Sequence, residues 1–152
     1  MSQASRVTKQ FGGLSVDGLE ISGKQVSSEL TEATTLTAAD SGKTFYLNAA
    51  TEFAVTLPAV ASCPGFVAKF VVKAAPSGAS YTIASPAADI HGVVLTAQDA
   101  GGSGASTAGT PITTISLVDS VAVVGDYIEL VSDGTNYYVS GVSSAFGAVT
   151  FA

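Results

Sequence analysis

The stretch Phe66-Val67-Ala68-Lys69-Phe70-Val71-Val72-Lys73 decides the fold class of this chain. Every second residue from Phe66 to Val72 is apolar, whereas Lys69 and Lys73 do not belong to that alternating series. Side chains alternate between the two faces of a β-strand, so this spacing predicts a half-buried strand whose apolar face packs on a core.

Similar short segments follow one another from Leu36 onward, separated by Gly, Pro, Asn and Asp-Gly. Many short strands joined by turn residues are typical of an all-β fold, either a β-sandwich or a barrel-like domain. Residues 28–37 contain four threonines and no sustained apolar stripe, which predicts at most a turn or two of helix. Further strands are predicted at residues 43–48, in the run ending at Pro58, and at residues 81–84, 90–95, 112–118, 126–132 and 137–142.

The chain divides into an arm and a domain. Residues 1–35 are predicted to form an N-terminal arm, in which Asp17-Gly18 lies between two alternating segments and predicts a short hairpin over residues 14–22. Residues 36–152 are predicted to form the β domain. Within it, residues 98–111 are mostly Gly, Ser, Thr and Ala, which predicts a flexible loop.

The composition argues against several partners. Charged residues are only 12% of the chain, against roughly 25% in ordinary domains. Twelve acidic and six basic residues give a net charge of −6, which opposes the phosphate contacts that hold nucleic acids. No segment approaches the roughly 20 apolar residues of a membrane span. We therefore expect neither a nucleic-acid nor a membrane partner.

Residues suited to catalysis are few. Cys63 is the only cysteine and His91 the only histidine. They are predicted to be a buried, inert thiol at a turn and an ordinary turn or surface residue. The glycine-rich run 101–109 lacks the lysine of a phosphate-binding loop. We expect no enzyme, no catalytic residue, no cofactor and no metal site.

Four carboxylates lie near one another in sequence: Asp119, Asp126, Glu129 and Asp133. Their spacing does not match a calcium-binding loop, so Asp126 and Asp133 are predicted to bracket turns. Two acids can converge from distant strands, which leaves a glycosidase open, but the low charge and the lack of tryptophan weigh against it. Tyr137 and Tyr138 are adjacent and are predicted to lie on opposite faces of a strand.

Three blocks carry a resemblance to a known class. They are Leu36-Thr37-Ala38-Ala39-Asp40-Ser41-Gly42-Lys43-Thr44-Phe45-Tyr46-Leu47-Asn48-Ala49-Ala50, Phe53-Ala54-Val55-Thr56-Leu57-Pro58, and the closing hairpin Gly125-Asp126-Tyr127-Ile128-Glu129-Leu130-Val131-Ser132-Asp133-Gly134-Thr135-Asn136-Tyr137-Tyr138-Val139-Ser140-Gly141. These blocks resemble segments that recur in tailed-bacteriophage virion proteins, including capsid decoration (cement) proteins and parts of tail fibres. They are fold residues, so the resemblance transfers no active site.

The resemblance implies a structural protein of the virion. The chain is short and has neither heptads nor a shaft, which favours a decoration protein, made in the host cytoplasm, that binds the outer capsid surface and bridges major capsid protein subunits. Decoration proteins are often trimers, so a homotrimer is expected by analogy. The alternative is a tail-fibre or receptor-binding module that contacts host glycans.

The arm is the expected protein interface. Its apolar residues would anchor it on the shell or on an adjacent subunit. An equally open alternative is that the hairpin extends the subunit's own sheet. The candidate anchors are Val7, Phe11, Leu14, Val16, Leu19 and Ile21.

Overall fold

The protein is an all-β molecule, as predicted. The computed structural model describes residues 14–16, 19–21, 26–49, 51, 53–97 and 105–152. Short 3-10 helices are formed by Ala38–Asp40 and Val60–Ser62. The strands are β1 (Leu14–Val16), β2 (Leu19–Ile21), β3 (Ser27–Leu30), β4 (Thr34–Thr35), β5 (Lys43–Leu47), β6 (Ala54–Thr56), β7 (Val67–Val72), β8 (Tyr81–Ala84), β9 (Ile90–Thr96), β10 (Ala105–Ile112), β11 (Thr114–Leu117), β12 (Tyr127–Ser132), β13 (Tyr137–Ser143) and β14 (Val149–Phe151).

Two mixed sheets enclose one core. The larger sheet has seven strands in the order β10-β9-β13-β12-β7-β5-β3, and the smaller has five in the order β14-β11-β8-β6-β4. Phe70 and Ile128 of the larger sheet share a single buried cluster with Ile83 and Ile115 of the smaller sheet. The two sheets therefore pack face to face as a β-sandwich.

Strands β3 to β8 wind around this core like a short superhelix. Successive strands lie alternately in the larger and the smaller sheet. Neighbours within a sheet are parallel, β3 with β5 and β5 with β7 on one side, and β4 with β6 and β6 with β8 on the other. Parallel neighbours need a crossover connection, and here each crossover includes the intervening strand of the other sheet.

The second half of the sandwich is mainly antiparallel. Strand β12 pairs antiparallel with both β7 and β13, and β11 pairs antiparallel with both β8 and β14. The chain passes from the larger to the smaller sheet at Thr113, between β10 and β11. The predicted single strand over residues 112–118 is therefore divided between two sheets.

Inward-facing residues form apolar rows across the larger sheet. Leu30, Leu47 and Val72 lie opposite one another on β3, β5 and β7. Phe45 and Phe70 lie opposite each other and stack, with ring centroids 5.3 Å apart. All five are buried, because each occupies the core-facing position of its strand.

Residues 27–35 belong to the β domain, which corrects the predicted domain boundary. Strand β3 pairs with β5 and β4 pairs with β6, so the boundary predicted at residue 36 lies too late in the chain. Residues 28–37 contain no helix, which agrees with the prediction of at most a turn or two, and half of them are strand. Backbone pairing with neighbouring strands decides the conformation here, and local helix propensity does not oppose it strongly.

The loop predicted over residues 98–111 is also wrong in part. Residues 105–112 form β10, which pairs antiparallel with β9 through a register shift between Ala108 and Ile112. Ladder hydrogen bonds use backbone groups, so small side chains do not prevent pairing. Residues 98–104 lie outside the described residues.

Candidate protein-binding surface

The solvent-facing side of the seven-stranded sheet, here called the outer face, is unusually apolar. Strand β12 illustrates its origin, since Ile128 and Leu130 point into the core while Val131 points outward and is 45% exposed. The larger exposed apolar side chains on this face are Tyr46, Val67, Val93, Leu95, Val131, Tyr138 and Val142. Contiguous apolar patches on a protein surface mark sites of association.

The strand registers arrange the outer face in three rows. One row runs Val67, Val131, Tyr138 and His91. The middle row runs Thr44, Lys69, Glu129, Ser140 and Val93. The third row runs Tyr46, Val71, Tyr127, Val142 and Leu95. Two apolar rows thus flank a central row that contains charged residues.

The charges on the outer face are paired. Lys69 Nζ lies 2.8 Å from Glu129 Oε1 and 4.1 Å from the centre of the Tyr127 ring. Lys73 forms an ion pair with Glu29 on the edge strand β3. This lysine, together with a hydrogen bond from Asn48, holds the pKa of the Glu29 carboxyl below its usual value. The two ion pairs leave no net charge among these four groups, so a partner meets a locally neutral surface on an acidic protein.

A shallow groove lies at the end of the third row. Its volume is about 350 Å³. Val124, on the loop before β12, is 65% exposed and forms one wall beside Tyr46. The lining residues are Tyr46, Val71, Val72, Lys73, Val124 and Gly125. The groove is therefore apolar apart from one lysine at its rim.

The opposite side of the sandwich has different chemistry. On the solvent-facing side of the five-stranded sheet, alternate positions carry only small residues, and most of these are hydroxyl-bearing. These residues are Thr35, Ala54, Thr56, Thr82, Ala84, Thr114, Ser116 and Thr150. The large apolar residues are thus concentrated on one side of the sandwich, which identifies the outer face as the candidate binding surface.

Four of the six interface residues predicted from the sequence lie in the hairpin β1–β2 and not in the strands of the outer face. Strands β1 and β2 form a two-stranded sheet of their own, with Leu14 opposite Ile21 and Val16 opposite Leu19. Opposite residues in an antiparallel pair share a face, so these four positions fall on one face of the hairpin. The other two predicted anchors, Val7 and Phe11, lie outside the described residues.

The outer face was not predicted from the sequence. The signal was present as adjacent apolar pairs inside strands, such as Val71-Val72, Val93-Val94 and Tyr137-Tyr138. Alternation sends the members of each pair to opposite sides of the sheet. Such pairs predict a strand that is apolar on both faces, and the second face then needs a partner.

Cys63 and the two tyrosines have the environments predicted for them. Cys63 is buried, and its Sγ lies 3.1 Å from the hydroxyl of Tyr137. Tyr137 is fully buried and donates a hydrogen bond of 2.7 Å to the carbonyl of Pro58. Tyr138 faces outward and is 45% exposed. His91 lies in β9, half buried, with its ring 6.3 Å from that of Tyr138 and nearly parallel to it.

The carboxylates are held by local contacts. Asp126 is buried and accepts hydrogen bonds from the backbone amides of Val123 and Ser144, so it joins two loops, as its predicted position at a turn requires. Asp133 accepts from the amides of Thr135 and Asn136 in the turn before β13, and these bonds lower the pKa of its carboxyl.

Metal-binding clusters and membrane-spanning helices are absent from the described part of the chain. Among these residues, no three His, Cys, Asp or Glu side chains converge where they could hold a metal ion. None of the helices described has the length and apolar character needed to span a membrane. Comparison with protein-family models, with curated proteins and with solved structures finds no match.

Proposed function

We propose that this chain is a capsid decoration protein of a tailed bacteriophage, a non-enzymatic subunit that binds the outside of the shell and bridges neighbouring major capsid subunits. The resemblance of residues 36–58 and 125–141 to virion proteins supplies the phage assignment. The observation that carries a protein-binding role is the outer face, where two apolar rows border paired charges.

The energetics suit a partner protein with a flat surface. Full burial of a Val or Leu side chain stabilises a complex by about 1.5–3 kcal/mol, and Leu95 is 56% exposed before binding. Association costs at least about 4 kcal/mol in lost rotational and translational freedom, so several of these residues must be covered at once. The paired charges of the middle row need not be separated when the face is covered.

Oligomerisation would strengthen such binding. In a homotrimer, expected by analogy, one bound subunit holds the other two at high effective concentration over the shell. Residues 1–22, including the hairpin and the anchors Val7 and Phe11, would add a second contact with the shell or an adjacent subunit. Weak contacts, multiplied in this way, would clamp neighbouring capsid subunits.

The test uses purified capsids that lack this protein. We expect the wild-type chain to fill its sites, and the Leu95→Asp/Val142→Asp variant to bind at least about tenfold more weakly, since tenfold corresponds to only about 1.4 kcal/mol. Thr82→Asp, on the opposite sheet, is the matched control and should bind normally. Equal occupancy by both variants would exclude the outer face. Unchanged occupancy after deletion of residues 1–22 would exclude the arm.

A tail-fibre or receptor-binding module is the second candidate. The parallel, alternating course of β3 to β8 favours it, because this winding can be continued along an axis in a way that an antiparallel sandwich cannot. Electron microscopy of labelled virions separates the two candidates. Label distributed over the head supports decoration, whereas label at the tail tip supports the fibre module.

A further inference from the structure

The hairpin β1–β2 has an apolar face that its own two strands cannot cover. Among the described strands, β1 and β2 pair only with each other. Each strand has three residues. A lone two-stranded hairpin is marginally stable in water, so one with four large apolar positions on one face needs a surface to pack against.

The groove at the end of the outer face offers a surface of matching chemistry. It is lined by aliphatic and aromatic groups from three separate segments, β5, β7 and the loop before β12. The groove is shallow and open to solvent, with a volume of about 350 Å³. A hairpin strand of three residues is about 10 Å long, so it can present two aliphatic side chains to such a groove.

The connection between the two is short. The amide of Thr44 donates to the carbonyl of Val26 at 3.0 Å, so the chain enters β3 beside β5, two residues before Tyr46. From Ile21 to Val26 the backbone spans at most about 18 Å. The groove lies about 7 Å along β5 from Thr44 and one strand away, so the hairpin reaches it within one subunit or across a contact with a neighbour.

From these observations we propose that the groove lined by Tyr46, Val71 and Val124 is the docking site of the hairpin, residues 14–21. The inference rests on the proposed function for its setting, an oligomer on a capsid, and on the structure for both surfaces. It assigns the hairpin to a groove of this protein and not to the shell, so that the rest of the outer face stays free for the shell.

Disulfide trapping tests this docking in the purified full-length chain. The native thiol is buried, which leaves introduced cysteines as the reactive pair. Leu19→Cys combined with Val124→Cys is expected to form a disulfide at least about tenfold faster than Leu19→Cys combined with Thr82→Cys on the opposite sheet. Leu19→Cys with Tyr46→Cys provides a second pair, and circular dichroism checks that each variant is folded.

Mixing the single variants identifies the source of the hairpin. A crosslink within one chain of the double variant indicates docking on the same subunit. A covalent dimer between Leu19→Cys and Val124→Cys chains indicates docking on a neighbour, and both results support the site. The docking site is overturned if both groove positions form disulfides no faster than the Thr82→Cys control. It is also overturned if Val124→Cys chains crosslink preferentially to one another, because the groove would then contact the groove of a second copy and not the hairpin.

This experiment is separate from the test of the proposed function. It measures the chain without capsids, so its failure removes the docking and not the binding of the outer face to the shell. A tail location on labelled virions removes the decoration role and not the docking.

Discussion

Tyr137 and Tyr138 allow a matched test of how the sandwich is stabilised. The two residues are adjacent, and the change to Phe removes the same hydroxyl from each. At Tyr137 the lost hydroxyl donates to the Pro58 carbonyl at 2.7 Å and contacts the thiol of Cys63 inside the core. Loss of a buried donor costs about 1–3 kcal/mol, so Tyr137→Phe should lower the free energy of unfolding by this amount.

The control substitution should have little effect. Tyr138 is exposed, and its hydroxyl bonds to Asp133 at the surface. Surface substitutions usually change stability by less than about 0.5 kcal/mol. Urea unfolding followed by circular dichroism measures both variants, and for a chain of this length each kcal/mol also shifts Tm by roughly 2–4 °C. Equal losses for the two variants would refute the assignment of these residues to opposite faces.

Alkaline pH provides an independent measurement at the same residue. Burial raises the pKa of Tyr137 above its usual value, and the adjacent Cys63 adds to the increase. Because the pKa of Tyr137 is higher in the folded than in the unfolded state, its contribution to stability is fully present below the unfolded pKa of about 10. This contribution is lost as the pH rises further, because the unfolded tyrosine then releases its proton more readily than the folded one. Tyr137→Phe should therefore lose less stability than wild type between about pH 9 and pH 11. Identical losses in the two proteins would contradict this.

Three further predictions concern the turns and the core. Asp40 pairs with Lys43 and accepts hydrogen bonds at the start of the 3-10 helix, and these contacts lower the pKa of its carboxyl. Asp40→Asn should therefore lower the free energy of unfolding by about 1 kcal/mol at pH 7. The difference from wild type should shrink as the pH falls below about 4, because the wild-type carboxylate then becomes protonated. Phe70→Ala removes a fully buried ring and should cost about 3–5 kcal/mol in urea unfolding. In Gly92→Ala the new Cβ would lie 2.2 Å from the carbonyl oxygen of Val139, so β9 and β13 must separate. The free energy of unfolding should fall by about 1–3 kcal/mol. An unchanged free energy of unfolding would show that the two strands are not this close.

The turns of the closing hairpin were readable from the sequence. Asp133-Gly134 predicts a tight connection, and in the structure the Asp133 carboxylate accepts two backbone amides while Gly134 adopts φ of +90°. Both properties belong to the residues themselves, since an aspartate side chain can bond to its own turn and only glycine adopts positive φ without strain. The burial of Cys63 beside a proline turn followed from similar local reasoning.

The candidate surface was much harder to predict. The apolar hairpin could be found because Leu14, Val16, Leu19 and Ile21 are close in sequence. The outer face could not, because its rows collect residues from strands that are far apart along the chain, such as Tyr46 and Leu95. Only the order and register of the strands bring these side chains together.

The sequence by itself determined the all-β class, most strand positions and the face on which most side chains lie. These features depend on side-chain direction and turn geometry, which are local properties of the chain. The tertiary structure alone decided that residues 27–30, 34–35 and 105–112 are strands, that successive strands from β3 to β8 alternate between two sheets, and that one side of the sandwich is apolar. The physical reason is that strand pairing uses backbone amides and carbonyls, which are alike at nearly every residue. These groups therefore do not specify which strand will pair with which.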